Sequence, residues 1–206
     1  MVDTPDVGET EFLSDAGSRD DERPTAEVPG RVGVAGTVGI AAGWLVAAVL
    51  AALAPWWPVF TLVLPGSPHR SVDGVDGWGR FPVELSNTLR HGPRFGIALW
   101  VCAAGLALLA IGYLLGRRGR PVPARDLATV AGAIAVPCLL AGVVGSLVLY
   151  GQAYRDEFGR VPAVRGATVQ VEWGGCVWLS VAALVCAVGA SVVLVRTTLR
   201  AGLSTR

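Results

Sequence analysis

Four stretches of this chain carry no charged residue: 32–68, 95–116, 127–154 and 173–195. A helix rising about 1.5 Å per residue needs roughly 20 apolar residues to cross a ~30 Å hydrocarbon core. Each stretch reaches that length, and together they predict an all-α membrane protein. The expected fold is a four-transmembrane-helix bundle, with helices over about 33–54, 95–116, 128–150 and 174–195. Charged residues are 16% of the chain and apolar ones 52%, a charge deficit against the average soluble domain. The lipid bilayer is therefore the first partner that the sequence implies.

The segment before the first helix reads differently. Residues 1–30 hold nine acids, two arginines and few large apolar side chains. Such a segment buries too little surface to offset its ordering entropy, so it is expected to be a disordered acidic tail. It is either a solvated tail or a docking tail for a basic partner. Ala52-Leu53-Ala54 resembles a small-x-small processing site, but the region before it is long and acidic rather than short and basic. Pro55 follows at once, and the helix is read as a retained span.

Arginines set the expected orientation. All 17 basic residues are Arg, and Arg117, Arg118, Arg120 and Arg125 crowd the shortest connection. Basic residues favour the cytoplasmic side. The 1–30 tail, the 117–126 connection and the 201–206 tail are then cytoplasmic, flanking a transmembrane domain over 31–200. Loops 55–94 and 151–173 face outward, on a multi-pass protein of the cell membrane. The absence of Lys, with abundant Ala, Val and Gly, suggests a high-GC bacterial source. A net charge of +1 by itself argues neither for nor against an acidic partner, and no nucleic-acid partner is expected.

Within the helices the signals concern packing. Ala35, Gly39, Gly43, Ala47 and Ala51 recur every four residues, a small-residue ridge suited to close helix contact in lipid. Gly39, Gly43 and Ala47 are its candidate packing residues. Pro137 lies near the middle of the third helix, where a kink is expected. Cys102, Cys138, Cys176 and Cys186 all fall in helices and read as small packing residues rather than a disulfide framework. Cys176, near a helix end, is the only one considered for redox exposure.

The loops look folded. Val59 to Leu64 is a β-prone run, and Thr168, Gln170 and Glu172 alternate with Val169, Val171 and Trp173. A small extracellular sheet from the first and third loops is predicted, with strands at 58–64 and 167–173. Asp73-Gly74 and Asp76-Gly77 read as turns. Trp56, Trp57 and Trp173 suit an aromatic belt, while Trp78 caps a small core or touches a partner. All four are candidate partner contacts.

Four spans, Trp57 just beyond the first helix, the Gly77-Trp78 pair and a strand before the fourth helix together resemble claudin-like proteins. That family carries a cysteine pair in the same loop, and this loop has none. The layout is also similar to other four-span membrane proteins of high-GC bacteria. The resemblance implies a lateral or extracellular contact role rather than chemistry.

Signs of chemistry are few. Asp73 and Asp76 lack the oxygen ladder and closing Glu of a calcium loop. His69 and His91 lack a third ligand for a metal. Ser71, Ser86 and Ser180 have no nucleophile-elbow context, and no glycine-rich phosphate loop follows a strand. No catalytic residue, metal site or cofactor is expected. The spans hold no ionisable side chain of the kind ion-coupled transport uses. Their polar residues (Thr37, Ser146, Ser180 and the cysteines) can bond within their own helices. The sequence thus favours a non-enzymatic accessory, assembly or interaction protein of the envelope, ahead of a small transporter or channel component. An enzyme using the loop carboxylates Asp73, Asp76 and Glu84 comes third.

Overall fold

The computed structural model describes residues 34–63, 71–81, 93–118, 123–159 and 170–203. The acidic segment 1–30 and the positions of His69, Glu84, Ser86 and His91 lie outside the described residues. Four helices form: α1 (Val34–Leu53), α2 (Phe95–Arg118), α3 (Pro123–Gly159) and α4 (Gly175–Leu203). All four are long and apolar enough to cross a membrane, over Gly36–Trp56, Phe95–Gly116, Leu127–Asp156 and Gly175–Arg200. Neighbours pack in a ring, α1 on α2, α2 on α3, α3 on α4 and α4 back on α1.

Small residues are frequent on the inner helix faces, beside a few large ones. On α1 the buried positions include Ala41, Ala47, Ala48 and Ala51 together with Ile40 and Trp44, whereas Leu45, Val46, Val49 and Leu53 are exposed. On α4 Ala183, Ala187, Ala190 and Leu194 are buried, with Val185, Val188, Val192 and Val193 outside. Apolar side chains thus lie on every side of these helices. Small side chains let helix backbones approach closely. The inner positions 133, 137, 140, 144 and 147 of α3 and 176, 180, 183, 187, 190 and 194 of α4 alternate steps of four and three. That is the spacing of a knobs-into-holes seam.

α1 ends where proline demands it. Pro55 has no N–H to continue the ladder, and the chain tightens into a 3-10 turn over Ala54–Trp56 before extending at Trp57. Strand β1 (Phe60–Val63) follows, then β2 (Ser71–Asp73), while β3 (Gln170–Trp173) precedes α4. They form one antiparallel sheet in the order β2-β1-β3. Phe60 faces Trp173 and Leu62 faces Val171 across the β1–β3 ladder. The predicted partnership of the two loops is present; the first strand begins at Phe60 rather than at 58, and positions 64 and 167–169 lie outside the described residues. Strand β2 is an addition: Asp73 closes a strand, in register with Thr61, and Gly74 follows it.

Three boundaries differ from expectation, the first being the start of α3, at Pro123 rather than about 128. Helix α3 runs to Gly159, so the first part of the expected 151–173 loop is helical. Gln152, Arg155 and Asp156 are exposed there, and nothing between Tyr150 and Gly159 breaks the helix. Charge ends an apolar span without ending a helix. Likewise α4 continues past 195 to Leu203. Helix α3 also continues through Pro137, whose ring is buried in the bundle.

Candidate functional site

The sheet and the 3-10 turn make a cap over one end of the bundle, and backbone hydrogen bonds fasten it. Val59 donates to the Val75 carbonyl at 2.8 Å, and Gly74 to the Phe60 carbonyl at 2.8 Å. Gly174 donates to Val59 at 2.9 Å and Cys176 to Pro58 at 3.0 Å, so the start of α4 is bonded to the approach to β1. Gly77 donates to Pro55 at 3.1 Å, and Gly96 donates to Gly77 at 2.6 Å, which joins the first loop to the start of α2. A Cβ on Gly174 would run into the Pro58 carbonyl group. Only glycine permits that approach.

Asp76 organises the tip of the first loop. Its Oδ1 accepts from the Trp78 N–H at 3.0 Å and the Arg80 N–H at 2.8 Å. Gly79 closes the turn on the Asp76 carbonyl with a positive φ of 79°, a conformation natural to glycine. This is the hydrogen-bonding pattern of an Asx turn. It agrees with reading Asp76 as a turn residue.

Trp78, singled out for a partner, is packed from three sides by its own chain. Its ring meets Trp56 edge-on at 5.7 Å and Trp100 at 6.1 Å. A Cβ on Gly96 would lie 2.7 Å from its six-membered ring. Its indole nitrogen is buried with no hydrogen-bond partner among the described residues. Trp173 is turned inward as well, its ring occupying the space beside Gly151 of α3. Trp56 and Trp57 remain exposed.

No protein-family model, curated protein or solved structure matches this chain. Its own geometry must carry the functional reading.

Beneath the sheet, the α3 extension supplies a second aromatic group. Phe60 stacks on Tyr154 at 5.2 Å, Tyr154 meets Tyr150 at 4.7 Å, and Phe95 of α2 lies edge-on to Tyr150 at 5.5 Å. The sheet therefore rests on a helix that the sequence reading had ended at 150. The i, i+4 spacing of Tyr150 and Tyr154 was the available signal.

The expected ridge on α1 divides. A Cβ on Gly43 would sit 3.0 Å from the Ala190 Cβ, so α1 and α4 approach closely there. Ala47 is fully buried. Gly39 departs from the ridge: it is exposed, and a Cβ there would meet nothing within 4 Å.

The polar inventory of the bundle needs one correction. Ser146 and Ser180 donate to carbonyls one turn back, at 2.9 and 2.7 Å, as local bonding requires. Ser191, overlooked in the sequence, instead accepts from the indole nitrogen of buried Trp44 at 3.2 Å, between α4 and α1. Cys176 is fully buried, which removes the expected exposure of its thiol, and all four cysteines are free.

Proposed function

We propose that this chain is a multi-pass protein of the cell membrane, with both termini in the cytoplasm, that acts through contact at its outer cap. In this reading it is an accessory, assembly or interaction subunit of a bacterial envelope. The large aliphatic residues left exposed along α1 and α4, among them Leu45, Val46, Val49, Val185 and Val192, support lipid as the surrounding solvent. Contiguous apolar faces of this kind are rare on proteins surrounded by water.

One observation carries the contact role. The cap draws strands from two loops about a hundred residues apart and is bonded through its backbone to the starts of α2 and α4. A loop that only connected spans would need no such fastening. A held surface loses little conformational entropy when a partner docks, which is the advantage of preorganisation. Its outward residues include exposed Gln170 and Glu172. The likeness to claudin-like proteins belongs to the same proposal, with Trp57 and Trp78 serving the cap.

Mild cross-linking of the full chain in its native membrane, followed by purification, tests this. A partner recovered in fixed stoichiometry is the expected result. Specific solute flux through the purified chain in liposomes, with no partner recovered, would replace the reading with a transporter or channel component. A C-terminal reporter active only outside the cytoplasm would reverse the orientation.

A further inference from the structure

We infer that Trp56, Trp57, Trp100 and Trp178 form an aromatic belt that seats the sheet end of the bundle in the headgroup layer of a bilayer, covered by lipid rather than protein. The inference rests on the membrane reading above and goes beyond it by fixing where the interface crosses the molecule.

All seven tryptophans of the chain lie among the described residues, so their distribution can be read completely. Trp44 is buried, and Trp78 and Trp173 are partly covered by their own chain. The other four are exposed, at 64% for Trp56, 55% for Trp57, 50% for Trp100 and 62% for Trp178. Every one of these belongs to the sheet end. At the opposite end the exposed residues include Arg196 and Arg200.

The four indoles share a level. The Trp100 indole N–H donates to the Ala52 carbonyl at 3.2 Å, which places it beside the last turn of α1. Trp56 and Trp57 follow that turn directly. A Cβ on Gly175, the first residue of α4, would lie 3.1 Å from the Trp57 Cβ. Trp178 is three residues further along α4, a displacement of about 4.5 Å along the helix axis.

The level also divides two kinds of surface. Towards the middle of the bundle, exposed Leu53, Val101 and Val185 are apolar. Towards the sheet, exposed Arg80, Arg94, Gln170 and Glu172 are polar or charged. An indole combines a large apolar ring with one donor, and it favours the zone where hydrocarbon meets headgroups. Trp56 and Trp57 follow α1, Trp100 lies near the start of α2 and Trp178 near the start of α4, so indoles border three of the four helices at this one level.

Depth-dependent fluorescence quenching tests the assignment. The full chain is reconstituted into phosphatidylcholine vesicles bearing either a nitroxide at the headgroup or bromine near the acyl-chain ends. Stronger quenching by the headgroup label is expected. Replacing the four together by Phe should remove most of that quenching, and Trp178→Phe alone a part of it. Three results would overturn the belt while the chain remains resistant to carbonate extraction: stronger quenching by the deep label, stronger quenching by aqueous iodide, or unchanged quenching in the fourfold variant. Extraction of the chain by carbonate is a different result, which removes the membrane reading and this inference together.

Discussion

The indole of Trp44 donates to the hydroxyl of Ser191 across 3.2 Å, and the edge of the Trp44–Tyr113 ring pair closes at 5.6 Å beside it. Three helices, α1, α4 and α2, thereby meet around one buried side chain. Ser191→Ala leaves a buried donor unpaired, at a cost of about 0.5–2 kcal/mol. A double-mutant cycle with Trp44→Phe should show a coupling of roughly 0.6–1.7 kcal/mol, the range of polar contacts between membrane helices. Unfolding in detergent micelles measures it; purely additive effects would mean that the bond contributes nothing.

Gly174→Ala should loosen the cap. The added Cβ is opposed by the Pro58 carbonyl group, backbone that cannot step aside without moving β1. Overpacking of this kind costs about 1–3 kcal/mol. Limited proteolysis at the sheet end should quicken while the helical circular dichroism is kept. Unchanged cleavage would show that the junction between β3 and α4 tolerates a side chain.

The two glycines of α1 should separate under enlargement. Gly43→Leu pushes α1 away from Ala190, whose Cβ is 3.0 Å from the built position, and should lower the melting temperature clearly. Gly39→Leu enters open space and should be neutral or gain up to about 1 kcal/mol from reduced backbone freedom in the unfolded chain. Equal losses at both positions would refute the packing asymmetry.

Trp78 offers a test of an orphan donor. Trp78→Phe keeps an aromatic ring near Gly96 and Trp56 while removing a buried N–H whose desolvation costs about 1–3 kcal/mol. Its stability should equal or exceed that of the parent. Trp78→Ala deletes the ring and should cost about 3 kcal/mol. A Phe variant markedly weaker than the parent would reveal an acceptor for the indole.

The four long apolar helices were legible because absence of charge over more than 20 residues is a one-dimensional signal that packing cannot disguise. The inner faces were less so. With apolar residues on every side, no periodic pattern marks the buried stripe; of the Ala-Gly ridge of α1, Gly43 and Ala47 lie against the bundle and Gly39 lies outside it. A β-prone run revealed β1 and alternation β3, whereas β2, three residues long and ending in Asp73, looked like a turn. Arg155 and Asp156 suggested a loop because membrane boundaries and helix boundaries were assumed to coincide. Trp100 and Trp178 were hidden inside their spans, and no local pattern joins Trp44 to a serine 147 positions away.

The sheet has a consequence for how the molecule is made. Its central strand, β1, is synthesised early, but one of its two neighbours, β3, follows α2 and α3. Until residue 173 leaves the ribosome, β1 keeps an open edge able to template wrong pairings. Closing that edge therefore waits on everything between the two strands, α2 and α3 included. A nascent chain stalled before β3 would leave the unfinished strand open, a physical difference from the completed protein.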